Sequence, residues 1–201
     1  MNLSGKRIGF GLTGSHHTYK DVFVQMEKLM EQGAEVIPIV SYTVMSMDTK
    51  HGRAADHLRR LEEITGKKVI QSIPEAEPLG PKKPLDAMVI APLTGNSLSK
   101  MANALTDNPV LMAAKSTIRN QHPVILGVTT NDALGLNGEN LMRLLNSKYI
   151  YFIPFGQDSP YKKPNSLAAN LDYTIDTIQS AMERKQLQPV IISYMEKNMI
   201  E

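Results

Sequence analysis

Short runs of apolar residues alternate along this chain with longer stretches in which apolar positions recur every three or four residues. The short runs, bounded by glycine or polar residues, have the character of buried strands, and the three-to-four spacing is that of a helix with one face inward. Residues 6–11 form the first strand. A helix follows over 20–32, with Val22, Met26, Leu29 and Met30 inward and Gly33 as its stop, and then a strand over 34–40. Strand, helix, strand in that order favours a parallel pair with a right-handed crossover. The pattern continues with a polar loop at 41–52 and an exposed amphipathic helix at 51–65 that turns Ala54, Ala55, Leu58, Leu61 and Ile64 inward. Residues 74–85 hold four of the twelve prolines, and this composition predicts a surface excursion rather than a helix or a central strand.

The alternation then resumes. A fully apolar strand at 87–91 leads through a turn at 92–95 to a helix at 96–105. Asn108-Pro109 opens another helix that runs to about Asn120, with Asn as the cap and Pro in the first turn. Residues 124–128 are a strand, 129–138 a loop, 139–146 a helix and 149–154 the last clear strand. Residues 166–185 read as one long amphipathic helix. The tail, 186–201, carries Val190, Ile191, Ile192, Tyr194 and Met195, too apolar for a free terminus, and is expected to dock on the body or on a neighbouring subunit. The whole reads as an α/β fold in three layers, a doubly wound parallel sheet covered on both faces. Sites in such sheets lie at the carboxyl ends of the strands, here the loops 12–18, 41–52, 92–97 and 128–138.

Composition narrows the chemistry. A length of 201 residues suits a single domain spanning 1–201, and 22 Lys and Arg against 20 Asp and Glu give no general attraction to nucleic acid or a membrane surface. The absence of Cys removes disulfides, thiolate nucleophiles and Cys-ligated metal, and no metal site is expected. No apolar run has the length of a membrane span or of a signal peptide, and a cytoplasmic protein is the expectation.

Gly9-Phe10-Gly11-Leu12-Thr13-Gly14 matches GxGxxG between a strand and a helix. The second strand ends in Val40-Ser41-Tyr42-Thr43, without the acid that would hold the ribose of a dinucleotide. The helix starts late, after Thr13-Gly14-Ser15-His16-His17, and free N–H groups there with Ser and Thr hydroxyls suit a terminal phosphate better than a bridging pyrophosphate; a plain tight turn is the simpler alternative. In the third loop, Thr94, Asn96 and Ser97 offer hydroxyl and amide groups to a planar heteroaromatic ligand, with Gly95 allowing close approach, although a helix cap by Asn96 or Ser97 is the simpler explanation of one of them. Thr129, Thr130 and Asn131 repeat the theme at the fourth strand. Three polar strand ends on one crevice point to a mononucleotide pocket.

At residues 87–108, AMVIAPLTGNSLSKMANALTDN, the chain resembles the flavin-mononucleotide enzymes that include phosphopantothenoylcysteine decarboxylase and the lantibiotic cysteine decarboxylases. Ala91-Pro92, Thr94, Asn96, Ser97, Lys100, Ala102 and Asp107-Asn108 carry the likeness, which runs from about residue 5 to 156. It implies a flavodoxin-like or Rossmann-like flavoprotein fold and FMN as cofactor. Gly14, Ser15, Ser41 and Thr43 would then hold the phosphate, Thr94, Asn96, Ser97 and Thr129 would line the isoalloxazine, and Asn96 and Asn131 would face the substrate. Of His16 and His17, His16 is taken as the candidate acid or base. Two departures set the chain apart. Pro78 stands where the decarboxylases have their active-site His, and there is no Cys for the lid over the substrate.

One branch of that family fits the whole pattern, through Thr13-Gly14-Ser15-His16-His17, the Pro-rich segment and Thr129-Thr130-Asn131-Asp132. The resemblance implies one component of a cytoplasmic oxidoreductase of sporulating bacteria, assembled on trimers. It would work with a second subunit that carries NAD or NADP and would oxidise a dihydropyridine dicarboxylate to pyridine-2,6-dicarboxylate. A flavin decarboxylase of a cysteine-derived substrate and a non-catalytic, phosphate-binding partner subunit are the alternatives. Arg53, Arg59, Arg60, Lys82, Lys83, Lys162 and Lys163 are cations that suit a dicarboxylate, but most read as a solvated face.

Overall fold

The computed structural model describes residues 3–193. Five parallel strands form the body of the sheet: β1 (Arg7–Leu12), β2 (Glu35–Val40), β3 (Ala87–Leu93), β4 (Val124–Thr130) and β5 (Ile150–Phe152). Their spatial order is β2-β1-β3-β4-β5, a doubly wound order whose direction of winding reverses between β1 and β3. Two short strands, β6 (Phe155–Gly156) and β7 (Leu167–Ala169), are antiparallel additions: β7 pairs with Thr129 and Thr130 at the carboxyl end of β4, and β6 pairs with β7. The seven-stranded sheet is therefore mixed rather than wholly parallel.

The parallel strands are buried on both faces, which is why they read as continuous apolar runs rather than alternating ones. On one face Phe10, Val89 and Ile125 pack beneath α1 (Tyr19–Glu31), α3 (Ala54–Thr65) and α8 (Thr174–Met182). On the other, Met88, Ile90 and Leu126 meet α4 (Ile73–Ala76), α5 (Gly95–Ala102), α6 (Pro109–Arg119) and α7 (Gly138–Leu145). The remaining helix, α2 (Tyr42–Ser46), is a short turn following β2.

Gly9 and Gly11 lie inside β1, not in the turn after it. A Cβ on Gly9 would come within 2.5 Å of Leu85 Cδ1, and one on Gly11 within 2.7 Å of Val110 Cγ1. These two glycines make room for core packing, which accounts for the first half of the GxGxxG pattern without any ligand.

Three stretches differ from the sequence expectation. The polar loop 41–52 contains α2. Residues 74–85 are not a loose excursion: Ser72 and Glu75 cap one helical turn reciprocally, with Pro74 in its first turn, and a 3-10 turn follows over Glu77–Leu79. Proline costs little at the start of a helix, where its missing N–H would have no partner anyway. Ala76, Leu79 and Leu85 are buried in the same core as α6. The long helix expected over 166–185 is instead β7, a 3-10 turn (Leu171–Tyr173) and then α8. Its apolar residues suit either period, and pairing with β4 and β6 decides for strand.

Beyond α8 the chain returns to the sheet. The Gln186 side chain bonds both the N–H and the carbonyl of Phe152, at 2.8 and 2.7 Å. Phe155 N–H donates to the Val190 carbonyl and Ile192 N–H to the Phe155 carbonyl, each at 3.0 Å. Tyr194 and Met195, which the expectation of a docking tail also invoked, lie outside the described residues. Among the described residues no helix is long and apolar enough to cross a membrane.

Candidate functional site

The carboxyl ends of β1 and β3 are tied together by one side chain. Thr13 Oγ1 donates to the Pro92 carbonyl at 2.7 Å and accepts from Thr94 N–H at 3.0 Å. The Thr13 carbonyl in turn accepts the buried Tyr19 hydroxyl at 2.8 Å, and burial pushes that phenol well above its ordinary pKa. Thr13 therefore serves the architecture: it fixes the loop that presents Gly14 and Ser15.

Two polar clefts open on either side of Thr94. The first, about 310 Å³, brings together Gly14, Ser41, Thr43, Thr94, Asn96 and Ser97. The second, about 240 Å³, brings Ser15, Thr129 and Asn131 to Thr94 from the other side. Thr94, rather than the expected Asn96 or Ser97, is the helix cap: its hydroxyl accepts from Ser97 N–H at 3.3 Å and lies 3.2 Å from the Ser97 hydroxyl. That leaves Asn96, exposed at the first cleft, out of the capping role. Asn108 caps α6 as expected, its amide oxygen accepting from Leu111 N–H at 3.1 Å.

The decisive feature of the first cleft is Ser41. It stands at the N-cap position of α2 in extended conformation, yet its side chain caps nothing. Its hydroxyl is buried and has no hydrogen-bond partner. A buried hydroxyl left unpaired is costly, and here it lines the same cleft as Gly14 and Thr43. At the rim, Lys100 Nζ and Asp107 Oδ2 are 2.6 Å apart, and this bond holds the Asp107 carboxyl below its ordinary range.

His16 is not among the residues lining either cleft. Its ring is buried against Tyr19, at 4.9 Å between centroids, and against His57 of α3, at 5.8 Å. His16 Nδ1 and His57 Nε2 are buried without partners, and burial lowers both pKa values from 6.5. It is His17 that reaches the second cleft. The expected acid or base, His16, thus lies outside both clefts, and its neighbour on the same 3-10 turn, His17, lines the second.

The second cleft also contains residues that sequence reasoning did not place there. Asp132 accepts from the Thr130 hydroxyl at 2.5 Å and from Asn137 Nδ2 at 2.7 Å. Gly95 gives this carboxylate its room, since a Cβ there would lie 2.6 Å from Thr130 Oγ1 and 2.7 Å from Asp132 Oδ1. Lys163, Asp158 and Ser166 come from the 157–166 segment. Of the cations noted in the sequence, Arg53, Arg59 and Arg60 pair with acids on the exposed face of α3 and its neighbour, and Lys163 is the one that lines the second cleft. Pro78, at the position of the decarboxylases' His, lies outside both clefts, in the 3-10 turn packed on α6.

The chain matches the model of the Flavoprotein family over residues 1–171, and it belongs to that family. Within it, the chain is 60% identical over 197 residues to the dipicolinate synthase B subunit of Bacillus subtilis, with 98% of each chain covered. The crystal structure of the dipicolinate synthase B subunit from Bacillus halodurans superposes with a TM-score of 0.90 at 56% identity, covering 97% of this chain and 100% of that one. Burkholderia xenovorans DmrB in complex with FMN, a cubic protein cage for redox transfer, shares the fold at a TM-score of 0.64 and 16% identity, with coverage of 89% and 96%.

Proposed function

We propose that the chain acts as the B subunit of a dipicolinate synthase, working with an A subunit in the cytoplasm of a sporulating cell to oxidise dihydrodipicolinate to dipicolinate, pyridine-2,6-dicarboxylate. The unpartnered Ser41 hydroxyl, on a residue that lines the first cleft together with Gly14 and Thr43, is the observation that carries the flavin part of this reading. A phosphate oxygen would accept from that hydroxyl, with Gly14 and Thr43 beside it to hold the remaining oxygens. The donor set therefore fits FMN. The identity to the dipicolinate synthase B subunit over nearly the whole chain supports the substrate.

In this reading Gly14, Ser15, Ser41 and Thr43 hold the phosphate end, and Thr94, Asn96, Ser97 and Thr129 line the ring. Bound FMN supplies an acceptor for the hydride whose loss, with a proton, makes a dihydropyridine aromatic. The chain's own contribution is orientation: Asn96 lines the first cleft and Asn131 the second, and their amides are the groups offered to a planar substrate. In this reading NAD or NADP on the A subunit is the terminal acceptor, and the chain assembles on trimers. His16 has no part in this scheme.

The test is reconstitution of the chain with its A subunit, with and without FMN. Dipicolinate formation that requires this chain, rises with FMN and falls in Asn96→Ala supports the reading. Full activity of the A subunit alone, or no flavin binding by the chain in any assembly, contradicts it.

A further inference from the structure

An oxidised or reduced pyridine dicarboxylate carries two negative charges, and recognising it requires cationic or N–H donors placed beside the ring site. The first cleft has a lysine, but Lys100 is taken by Asp107 at 2.6 Å. In the second cleft Lys163 Nζ stands 3.8 Å from Asp158 Oδ2, beyond hydrogen-bond distance, and both side chains are solvent-accessible. An exposed ion pair of that length contributes little and is easily exchanged. The other carboxylate of the cleft, Asp132, is already answered by Thr130 and Asn137. His17 lines the same cleft as Lys163, which puts a cation and an imidazole together next to Asn131.

We propose that the second cleft is the subsite for a carboxylate of the substrate, with Lys163 and His17 as the groups that receive it. This rests on the dipicolinate synthase reading and adds to it the residues that make the site selective for a dicarboxylate. The incoming carboxylate takes the place of Asp158 beside Lys163. The state of His17 fits this role. Partial burial, then the charge of Lys163 and then His51 lower its pKa from 6.5, against an opposing pull from Asp158. Asp21 of α1 and Asp172 of the Leu171–Tyr173 turn share the neighbouring hollow with His17, and His51 approaches it at 6.2 Å between ring centroids. A bound carboxylate offsets the lysine charge and favours imidazolium, so binding takes up a proton.

The experiment is calorimetric titration of the full chain, in the presence of FMN and in buffer free of divalent cations, with pyridine-2,6-dicarboxylate as probe. Lys163→Gln is expected to weaken binding by about tenfold or more, the usual effect of losing a hydrogen bond to a charged group. Lys163→Arg is expected to stay within about threefold of the parent, since Arg keeps the charge and the donors. Proton uptake, read from buffers of different ionisation enthalpy, disappears in His17→Gln, and FMN affinity is the same in all three variants. Parent-like dicarboxylate affinity in Lys163→Gln and His17→Gln overturns the subsite, and if the reconstituted complex still makes dipicolinate the functional reading stands without it. A complex that makes no dipicolinate and a chain that binds none overturn both together.

Discussion

The two clefts share Thr94 but are made from different kinds of chain. The first is assembled from strand-to-helix turns: the ends of β1, β2 and β3 and the helices that follow them. The second joins the end of β4 to a segment distant in sequence, the 157–166 stretch held in place by the antiparallel pairing of β7. The first is lined mainly by hydroxyl-bearing residues. In the second, Asp158 and Lys163 sit on the 157–166 connection, and exposed connections of this kind are where α/β folds change substrate while keeping the scaffold.

The sharpest way to break that division is at the wall between the clefts. Gly95→Ala puts a Cβ into the Thr130–Asp132–Asn137 network at 2.6 to 2.9 Å, and is expected to destabilise the chain by about 1–3 kcal/mol, the range for overpacking, in urea unfolding. Dicarboxylate binding is expected to suffer more than flavin binding. Thr94→Ala removes the cap of α5 and its contact with Thr13, with an expected cost of about 1 kcal/mol and weaker binding at both clefts. Asn108→Ala removes the α6 cap and the amide's bond to Asp107 beside the first cleft, and is expected to cost about as much, ~1 kcal/mol, with flavin binding weakened less than in Thr94→Ala. The smallest effect is electrostatic. His16 and His57 are buried with pKa values lowered below 6.5, so the unfolded chain binds more protons there. Their contribution to stability is complete above pH 6.5 and is lost as the pH falls through the folded values. Stability curves between about pH 7.5 and 5 are expected to slope downward with acid, and His57→Phe is expected to flatten that slope without touching either ligand.

The same division explains what was legible beforehand. Residues 87–108 announced both the cap of α6 and the polar turn of the first cleft, because a strand, a turn and a helix contiguous in sequence carry their geometry locally. Gly14, Ser41, Thr43, Thr94, Asn96 and Ser97 were accordingly found together. Lys163 was visible only as one half of a Lys-Lys pair among exposed cations, since nothing local reveals that Leu167–Ala169 abandons a helical pattern to pair with Thr129 and Thr130. His16 and His17 are adjacent in sequence and diverge in space, a distinction set by a 3-10 turn that hydropathy does not encode. The Pro-rich segment misled for a related reason: proline content argued against helix, but the Ser72–Glu75 capping box places Pro74 where a helix accepts it.

Ser41 offers the most direct test of the first cleft, because its hydroxyl has no partner within the chain. Ser41→Ala should leave the stability of the ligand-free chain unchanged or slightly raised, since no hydrogen bond is lost and a buried polar group is removed. The same substitution should weaken FMN binding by about tenfold, measured by fluorescence quenching of the flavin. Parent-like FMN affinity in Ser41→Ala, or a loss of stability without any change in flavin binding, would contradict the assignment of this cleft to the flavin phosphate.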